Sequence, residues 1–126
     1  MHTGRCECGG VSFRVNTKIE AAAACHCSQC RRTSGHYWAA GSAPEKDVEI
    51  SGDTLRWYVS SDVAKRGFCG TCGSSLFFKF NDSDKLDIGL GALDKPTGLH
   101  LIRHIYAPDK GDYYDIADGL PQFETH

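Results

Sequence analysis

The sequence predicts a mainly β protein whose small core is supported by bound metal ions. Short segments in which apolar and polar residues alternate recur along the 126 residues, and a period of two is typical of β-strands. No segment has a sustained apolar face of period 3.6, so helices are expected to be short. Seven cysteines fall into three tight groups, which indicates metal sites that would stabilise a thin core.

Five segments are expected to form strands because apolar residues alternate or cluster in them. In chain order they are 11–15, 55–59, 76–80, 86–90 and 99–106. A single helical turn is expected over 28–34, directly after the middle cysteine group. The chain contains no linker, low-complexity tract or internal repeat, so a single domain over residues 1–126 is expected.

Composition and charge argue against several classes of protein. Fourteen basic and 16 acidic residues give a net charge of −2, without the basic surplus that binds nucleic acid. No stretch approaches the roughly 20 apolar residues of a membrane span, and the N-terminus lacks the apolar core of a signal peptide. A cytoplasmic location is therefore expected, where close cysteines are more often metal ligands than disulfides.

Four of the cysteines form two pairs, Cys6 with Cys8 and Cys69 with Cys72. Neither pair completes a tetrahedral thiolate site by itself, whereas four thiolates make a closed zinc site of the structural kind. A shared zinc ion would tie the first strand to the middle of the chain. The alternative is a redox-active C-x-x-C motif beside an unrelated C-x-C.

The remaining cysteines, Cys25, Cys27 and Cys30, lie within six residues. Three thiolates repel one another unless a cation lies among them, and they leave one position of a tetrahedral zinc ion open. Zinc enzymes use such a position for water or substrate, and a thiolate-rich site suits a sulfur ligand. The alternative is a cysteine group without metal in the resting protein. His26, between two of the cysteines, is the nearest candidate for proton transfer, unless strand alternation turns it away.

Further polar residues are candidates with a plainer structural alternative. Arg31 and Arg32 could bind a substrate carboxylate or be solvated. His104 lies in an alternating segment and could face the site or be a structural histidine. Asp94 could line a pocket or form a turn before Pro96, and the turn is the favoured interpretation.

The cysteine motifs resemble those of a known family. The segments GRCECG at 4–9, CHCSQCRR at 25–32, FCGTCGSSL at 68–76 and DGLPQF at 118–123 are similar to the glutathione-dependent formaldehyde-activating enzymes. Centromere protein V carries the same type of domain. The resemblance implies a β-tent fold, with small coiled antiparallel sheets stapled by zinc. It also implies two sets of zinc ligands. The structural zinc would be bound by Cys6, Cys8, Cys69 and Cys72, and the catalytic zinc by Cys25, Cys27 and Cys30.

The activity that the resemblance implies is formation and cleavage of the carbon–sulfur bond between glutathione and formaldehyde. The expected function is therefore a zinc-dependent carbon–sulfur lyase acting on a thiol–aldehyde adduct such as S-hydroxymethylglutathione. Glutathione is the first candidate partner, and no nucleic-acid or membrane partner is expected. The alternatives are a non-catalytic zinc-binding module that recognises a protein, and a redox or metal sensor.

Overall fold

The computed structural model describes residues 1–126 and consists mainly of strands, as the sequence predicts. The strands are β1 (His2–Arg5), β2 (Val11–Val15), β3 (Glu20–Cys25), β4 (Trp38–Pro44), β5 (Val48–Gly52), β6 (Leu55–Val59), β7 (Ala64–Cys69), β8 (Ser75–Phe80), β9 (Lys85–Gly89) and β10 (Arg103–Ile105). The α-helix α1 spans Ser28–Ser34, and short 3₁₀ helices span Glu45–Asp47, Leu90–Ala92 and Ala107–Asp109. None of the helices has the length and apolarity needed to cross a membrane.

The strands form two sheets. Strands β1, β2 and β5 make a three-stranded antiparallel sheet, and the other seven make a sheet of order β10-β3-β4-β9-β8-β7-β6. Every neighbouring pair is antiparallel except β10 and β3, which run parallel. The expectation of antiparallel sheets is thus corrected at this one pair. A parallel pair needs a long crossover connection, which the chain between β3 and β10 supplies.

The apolar core lies between the two sheets. Val11, Phe13 and Val15 alternate on β2 and are 0–4% exposed. Fully buried Phe77 of β8 meets Phe13 edge to face, with ring centroids 5.2 Å apart. Ile88 of β9 joins the same cluster. Burial of each such side chain stabilises the fold by about 1.5–3 kcal/mol, so this cluster holds the two sheets together.

The alternation pattern does not predict every strand. Strands β3 and β4 are built mainly from Ala, Gly and Ser, whose side chains give a weak hydrophobic signal. Strand β6 has the expected alternation, but it is an edge strand and its apolar Val59 is 74% exposed. The strand expected over 99–106 is restricted to β10. The helix expected over 28–34 is present as α1.

Candidate metal centres and active-site pocket

The sulfurs of Cys6, Cys8, Cys69 and Cys72 all lie within 4.8 Å of one another. The Sγ atoms are 3.7 Å apart in the pair Cys6–Cys8 and also in the pair Cys8–Cys69. Four sulfurs at the zinc–sulfur distance of about 2.3 Å from one ion are about 3.8 Å apart, so the arrangement fits a tetrahedral site. This group could therefore hold a zinc ion, and it joins the loop after β1 to the turn after β7.

Backbone and side-chain hydrogen bonds orient the sulfurs of this four-cysteine group. The amide of Val11 donates to Cys6 Sγ at 3.2 Å. The amides of Thr71 and Cys72 each donate to Cys69 Sγ at 3.4 Å. Cys6 and Cys69 are buried at 1% and 0% exposure. If the group binds a metal ion, its sulfurs would carry negative charge, and these donors would stabilise that charge.

The second group brings Cys25, Cys27 and Cys30 together at the start of α1. Their sulfurs also lie within 4.8 Å of one another. The side chain of Cys27 caps α1 by accepting a hydrogen bond from the amide of Cys30 at 3.4 Å. The helix ends at Gly35, whose φ of 84° suits glycine and whose amide donates to the carbonyl of Arg31. A short helix capped by a cysteine is therefore what folds the motif back on itself.

The three sulfurs are so close that negative charge on one thiolate disfavours ionisation of the other two. Hydrogen bonds from the thiols of Cys25 and Cys30 lower the pKa of the Cys27 thiol, and the same contact with Cys27 raises the pKa of Cys25. The guanidinium of Arg66 donates to Cys30 Sγ at 3.6 Å and to Gln29 Oε1 at 3.1 Å. Arg66 is only 6% exposed and stacks over the Phe78 ring at 4.9 Å. Its fixed positive charge offsets the charge of the three-cysteine group.

A cavity of about 540 Å³ opens beside the three-cysteine group. One face of the seven-stranded sheet lines it, because side chains alternate between faces along each strand. On β3 this face carries Ala21, Ala23 and Cys25, and Cys27 continues the alternation. The other strands also have side chains on this face. They are Arg103 and Ile105 of β10, Trp38, Ala40 and Ser42 of β4, Asp87 of β9, Phe78 and Phe80 of β8, and Ala64 and Arg66 of β7.

The middle of the cavity floor is made of small residues. Ala23 and Ala40 are cross-strand partners on β3 and β4, and Ser42 follows on β4. Charged side chains flank this floor, with Arg103 opposite Ala23 on one side and Asp87 opposite Ser42 on the other. The sequence therefore makes a concave surface by placing small residues between longer ones.

Two non-glycine residues with a left-handed backbone lie at the cavity wall. Ala21 has a φ of 55° next to a β-bulge, and Tyr106 has a φ of 53° directly after β10. Such backbone strain clusters at functional sites. Burial, followed by the negative charges of Cys25 and Cys27, raises the pKa of the Tyr106 phenol. The Tyr106 hydroxyl lies in the same cavity as the three-cysteine group, where its partner is Nδ1 of His126 at 3.1 Å.

His26 lies on the opposite face of the sheet from this cavity, as alternation between Cys25 and Cys27 requires. It is completely buried, and its Nδ1 is 2.6 Å from the hydroxyl of Tyr114. Its Nε2 is 2.8 Å from Nδ1 of His104, whose Nε2 is 2.8 Å from a carboxylate oxygen of Asp118. Burial, followed by the charge of His104, lowers the pKa of His26 to about 4. The tautomers of the two rings set the direction of this chain, and with the proton of each ring on Nε2 the donors run from Tyr114 through the two histidines to Asp118.

The other candidates from the sequence lie away from the cavity. Neither Arg31 nor Arg32 lines it. Asp94 lines a separate cavity of about 600 Å³, where it accepts a hydrogen bond from the Thr3 hydroxyl at 2.7 Å and its amide donates to the Thr3 carbonyl. His104 is 2% exposed and belongs to the buried chain with His26, so it does not face the cavity.

Comparison with known proteins shows the family and the fold of the chain. The family model described as glutathione-dependent formaldehyde-activating enzyme matches residues 1–109. The chain belongs to this family. An uncharacterized lyase of Schizosaccharomyces pombe is 25% identical over 123 residues, covering 97% of this chain and 90% of that protein. The crystal structure of a Rhodobacter sphaeroides protein has the same fold, with a TM-score of 0.64, 22% identity and coverage of 96% and 98% of the two chains.

Within this member of the formaldehyde-activating family, sequence reasoning missed three charged residues of the cavity. Arg66 and Arg103 lie in short strands, and Asp87 lies between two buried apolar residues of β9. Alternation in β9 predicts that Asp87 faces away from the core. Nothing in the sequence indicates that this outer face curves around a cavity shared with the three-cysteine group.

Proposed function

We propose that the protein is a zinc-dependent carbon–sulfur lyase acting on a thiol–aldehyde adduct, with S-hydroxymethylglutathione as the first candidate. The observation that carries the proposal is the cavity of about 540 Å³ that opens on three convergent cysteine sulfurs. Three sulfurs leave one tetrahedral position for a substrate atom. Family membership and the name of the fission yeast relative support the same reaction class. A protein-interaction module needs neither an open ligand position nor a cavity beside it.

Cleavage of the adduct breaks its carbon–sulfur bond. The electron pair of that bond goes to sulfur, the hydroxyl proton leaves as the carbonyl forms, and the released thiolate takes up a proton. A zinc ion bound by Cys25, Cys27 and Cys30 supplies a soft Lewis acid that favours a sulfur ligand in its thiolate form at neutral pH. Formation of the adduct is the reverse of these changes.

The residues around the cavity would orient the reacting groups. Arg66 holds its positive charge against Cys30 and so limits the negative charge of the site. The phenol of Tyr106, which lies against His126 Nδ1 in the structure, would turn from that partner to donate a hydrogen bond to the hydroxyl oxygen of the adduct. Fixing thiol and aldehyde in one cavity supplies the rate gain that orientation gives. We assign His26 a positioning role through its buried hydrogen bonds, because its ring lies on the other face of the sheet.

We propose a structural zinc ion for the four-cysteine group and a catalytic one for the three-cysteine group. The first would be held by Cys6, Cys8, Cys69 and Cys72, and the second by Cys25, Cys27 and Cys30. The difference in ligand number supports this division, because a closed site holds structure and an open one admits substrate. We further propose one domain over residues 1–126, located in the cytoplasm. The His104 amide donates to the Pro121 carbonyl and the Phe123 amide donates to the His104 carbonyl, which supports inclusion of the C-terminal segment.

The test combines zinc analysis with a measurement of adduct exchange. We expect two zinc ions per wild-type chain and protein-dependent exchange between formaldehyde and S-hydroxymethylglutathione in an NMR exchange experiment. Cys25→Ser should keep the fold and one zinc ion but lose the exchange. The control Ser12→Ala, on the exposed face of β2, should keep the fold, both zinc ions and the exchange. Two zinc ions without any exchange would refute the lyase. Reversible loss of one zinc ion on oxidation, again without exchange, would favour the sensor.

A further inference from the structure

Two residues of opposite charge face the cavity, and the protein neutralises neither. Lys79 pairs with Glu45 and His104 contacts Asp118, and neither contact involves Arg103 or Asp87, which therefore have no charged partner. The Nε atom of Arg103 is buried and has no hydrogen-bond partner. Burial raises the pKa of the Asp87 carboxyl, which a hydrogen bond from Ser42 offsets in part. Charges withdrawn from water are costly unless they are paired, so a ligand with complementary charges would relieve both.

The positions of these two residues define how such a ligand would lie. Arg103 is on β10 and Asp87 is on β9, and only β3 and β4 separate the two strands. The register runs from Arg103 through Ala23 and Ala40 to Gly89, two residues from Asp87, so three strand spacings and this offset place the two backbones about 16 Å apart before the sheet curves. Between them lie Ala23, Ala40 and Ser42, which leave the space open. A small ligand on this floor would meet the guanidinium at one side and the carboxylate at the other.

Arg66, the other guanidinium of the cavity, is already occupied. It donates to Gln29 Oε1 and to Cys30 Sγ and stacks over Phe78. Phe78 also separates it from Asp87, since Arg66 pairs with Phe78 and Phe78 pairs with Asp87 in the sheet. Arg103 also lies over an aromatic ring, that of Phe123 at 5.9 Å, but its buried Nε has no hydrogen-bond partner. Arg66 therefore serves the cysteine group, and Arg103 is the cation left to bind a ligand carboxylate.

We propose that Arg103 and Asp87 select a thiol that carries an α-amino acid group, with Arg103 binding its carboxylate and Asp87 its ammonium. This inference rests on the proposed function for the sulfur end of the ligand and deepens it by assigning the residues that recognise the other end. Cysteine and the γ-glutamyl end of glutathione both carry this group. On β10, Arg103 lies two residues from Ile105, the cross-strand partner of Cys25, so the amino acid group and the sulfur would occupy one continuous cavity.

The test measures binding of unreactive thioethers to the full-length, zinc-loaded protein by calorimetry. S-methylglutathione, its N-acetyl derivative and its α-carboxamide derivative are compared on wild type, Asp87→Asn and Arg103→Gln, with S-methylcysteine as the shorter source of the same group. We expect wild type to lose roughly 10-fold in affinity when either charge of the ligand is removed. The Asp87→Asn variant should bind S-methylglutathione and its N-acetyl derivative with equal affinity. The Arg103→Gln variant should bind S-methylglutathione and its α-carboxamide derivative with equal affinity.

Matched controls and a binding readout keep the result separate from catalysis. Asp82→Asn and Arg14→Gln change exposed residues outside the cavity and should keep both 10-fold differences. If Asp87→Asn and Arg103→Gln retain these differences, or if wild type binds neither thioether, the inference is overturned. Since thioethers are not turned over, the binding pattern can hold even if the lyase assay fails, and the lyase can be active without it. Tighter binding of S-methylcysteine than of S-methylglutathione would identify cysteine as the source of the group.

Discussion

Replacing Cys6 and Cys8 together by serine tests whether the four-cysteine group holds the fold through a metal ion. The sulfurs of Cys8 and Cys69 are 3.7 Å apart and 61 residues apart in the chain. A metal ion shared by the two pairs is therefore a cross-link that closes a long loop. Serine keeps the size of the side chain and its capacity to accept the Val11 hydrogen bond, so loss of the cross-link is the main change.

The size of the effect follows from the length of that loop. A cross-link across about 60 residues removes about 4 kcal/mol of conformational entropy from the unfolded chain. This is a large part of the roughly 5–15 kcal/mol by which domains are stable. If the free energy of unfolding falls by about 2 kcal/mol per molar urea, the urea midpoint of unfolding should fall by about 2 M. The double variant is therefore expected to be partly or wholly unfolded under mild conditions.

The matched comparison is a double variant of the other cysteine group, Cys25→Ser with Cys27→Ser. That group closes only a short loop, and the hydrogen bond from the Arg31 amide to the Cys27 carbonyl already holds it at 2.9 Å. The same entropy relation gives about 2 kcal/mol for a loop of about five residues, so its urea midpoint should fall by no more than about 1 M. Urea unfolding followed by circular dichroism, with and without a zinc chelator, measures both. An unchanged midpoint in the Cys6 and Cys8 variant, together with a wild type insensitive to chelator, would refute the cross-link.

Three further substitutions test the cavity, the buried histidine chain and the core. Ala40→Leu should fill the cavity floor and weaken thioether binding at least 10-fold in calorimetry, without lowering the thermal midpoint. Tyr114→Phe removes the donor to His26 and should cost about 1–3 kcal/mol in urea unfolding, because a buried nitrogen is left unpaired. Phe77→Ala should cost about 3–5 kcal/mol in the same assay, because Phe77 is fully buried between the sheets.

Each of these expectations has an outcome that contradicts it. Unchanged binding by Ala40→Leu would place the ligand elsewhere. Nitrogen-15 NMR of wild type should find the proton of both His26 and His104 on Nε2, and a proton on Nδ1 of His26 would reverse the direction of the hydrogen-bond chain. A cost below 1 kcal/mol for Phe77→Ala would mean that the core is not centred on this ring.

Much of the fold follows from patterns that act locally. The alternation of Val11, Phe13 and Val15 predicts β2 because one face of a strand must be buried. The alternation pattern does not predict strands β3 and β4, because their alanines and glycine bury little apolar area. Their strand conformation depends on pairing with neighbours, which the sequence pattern does not specify. The parallel pairing of β10 likewise depends on where a long connection returns to the sheet.

By itself, the sequence determined that the protein is mainly β, and the spacing of its cysteines led to the grouping of four and three sulfurs that the structure brings together. Only the tertiary structure decided which other side chains share the cavity. Arg103 and Asp87 lie on strands that are consecutive in the chain but separated by two strands in the sheet, and strand order and register place both side chains on one face. His26 is adjacent to two of the cysteines and yet faces away. In a sheet, position along the strand sets the face and pairing sets the neighbours, so closeness in sequence does not imply closeness in the site.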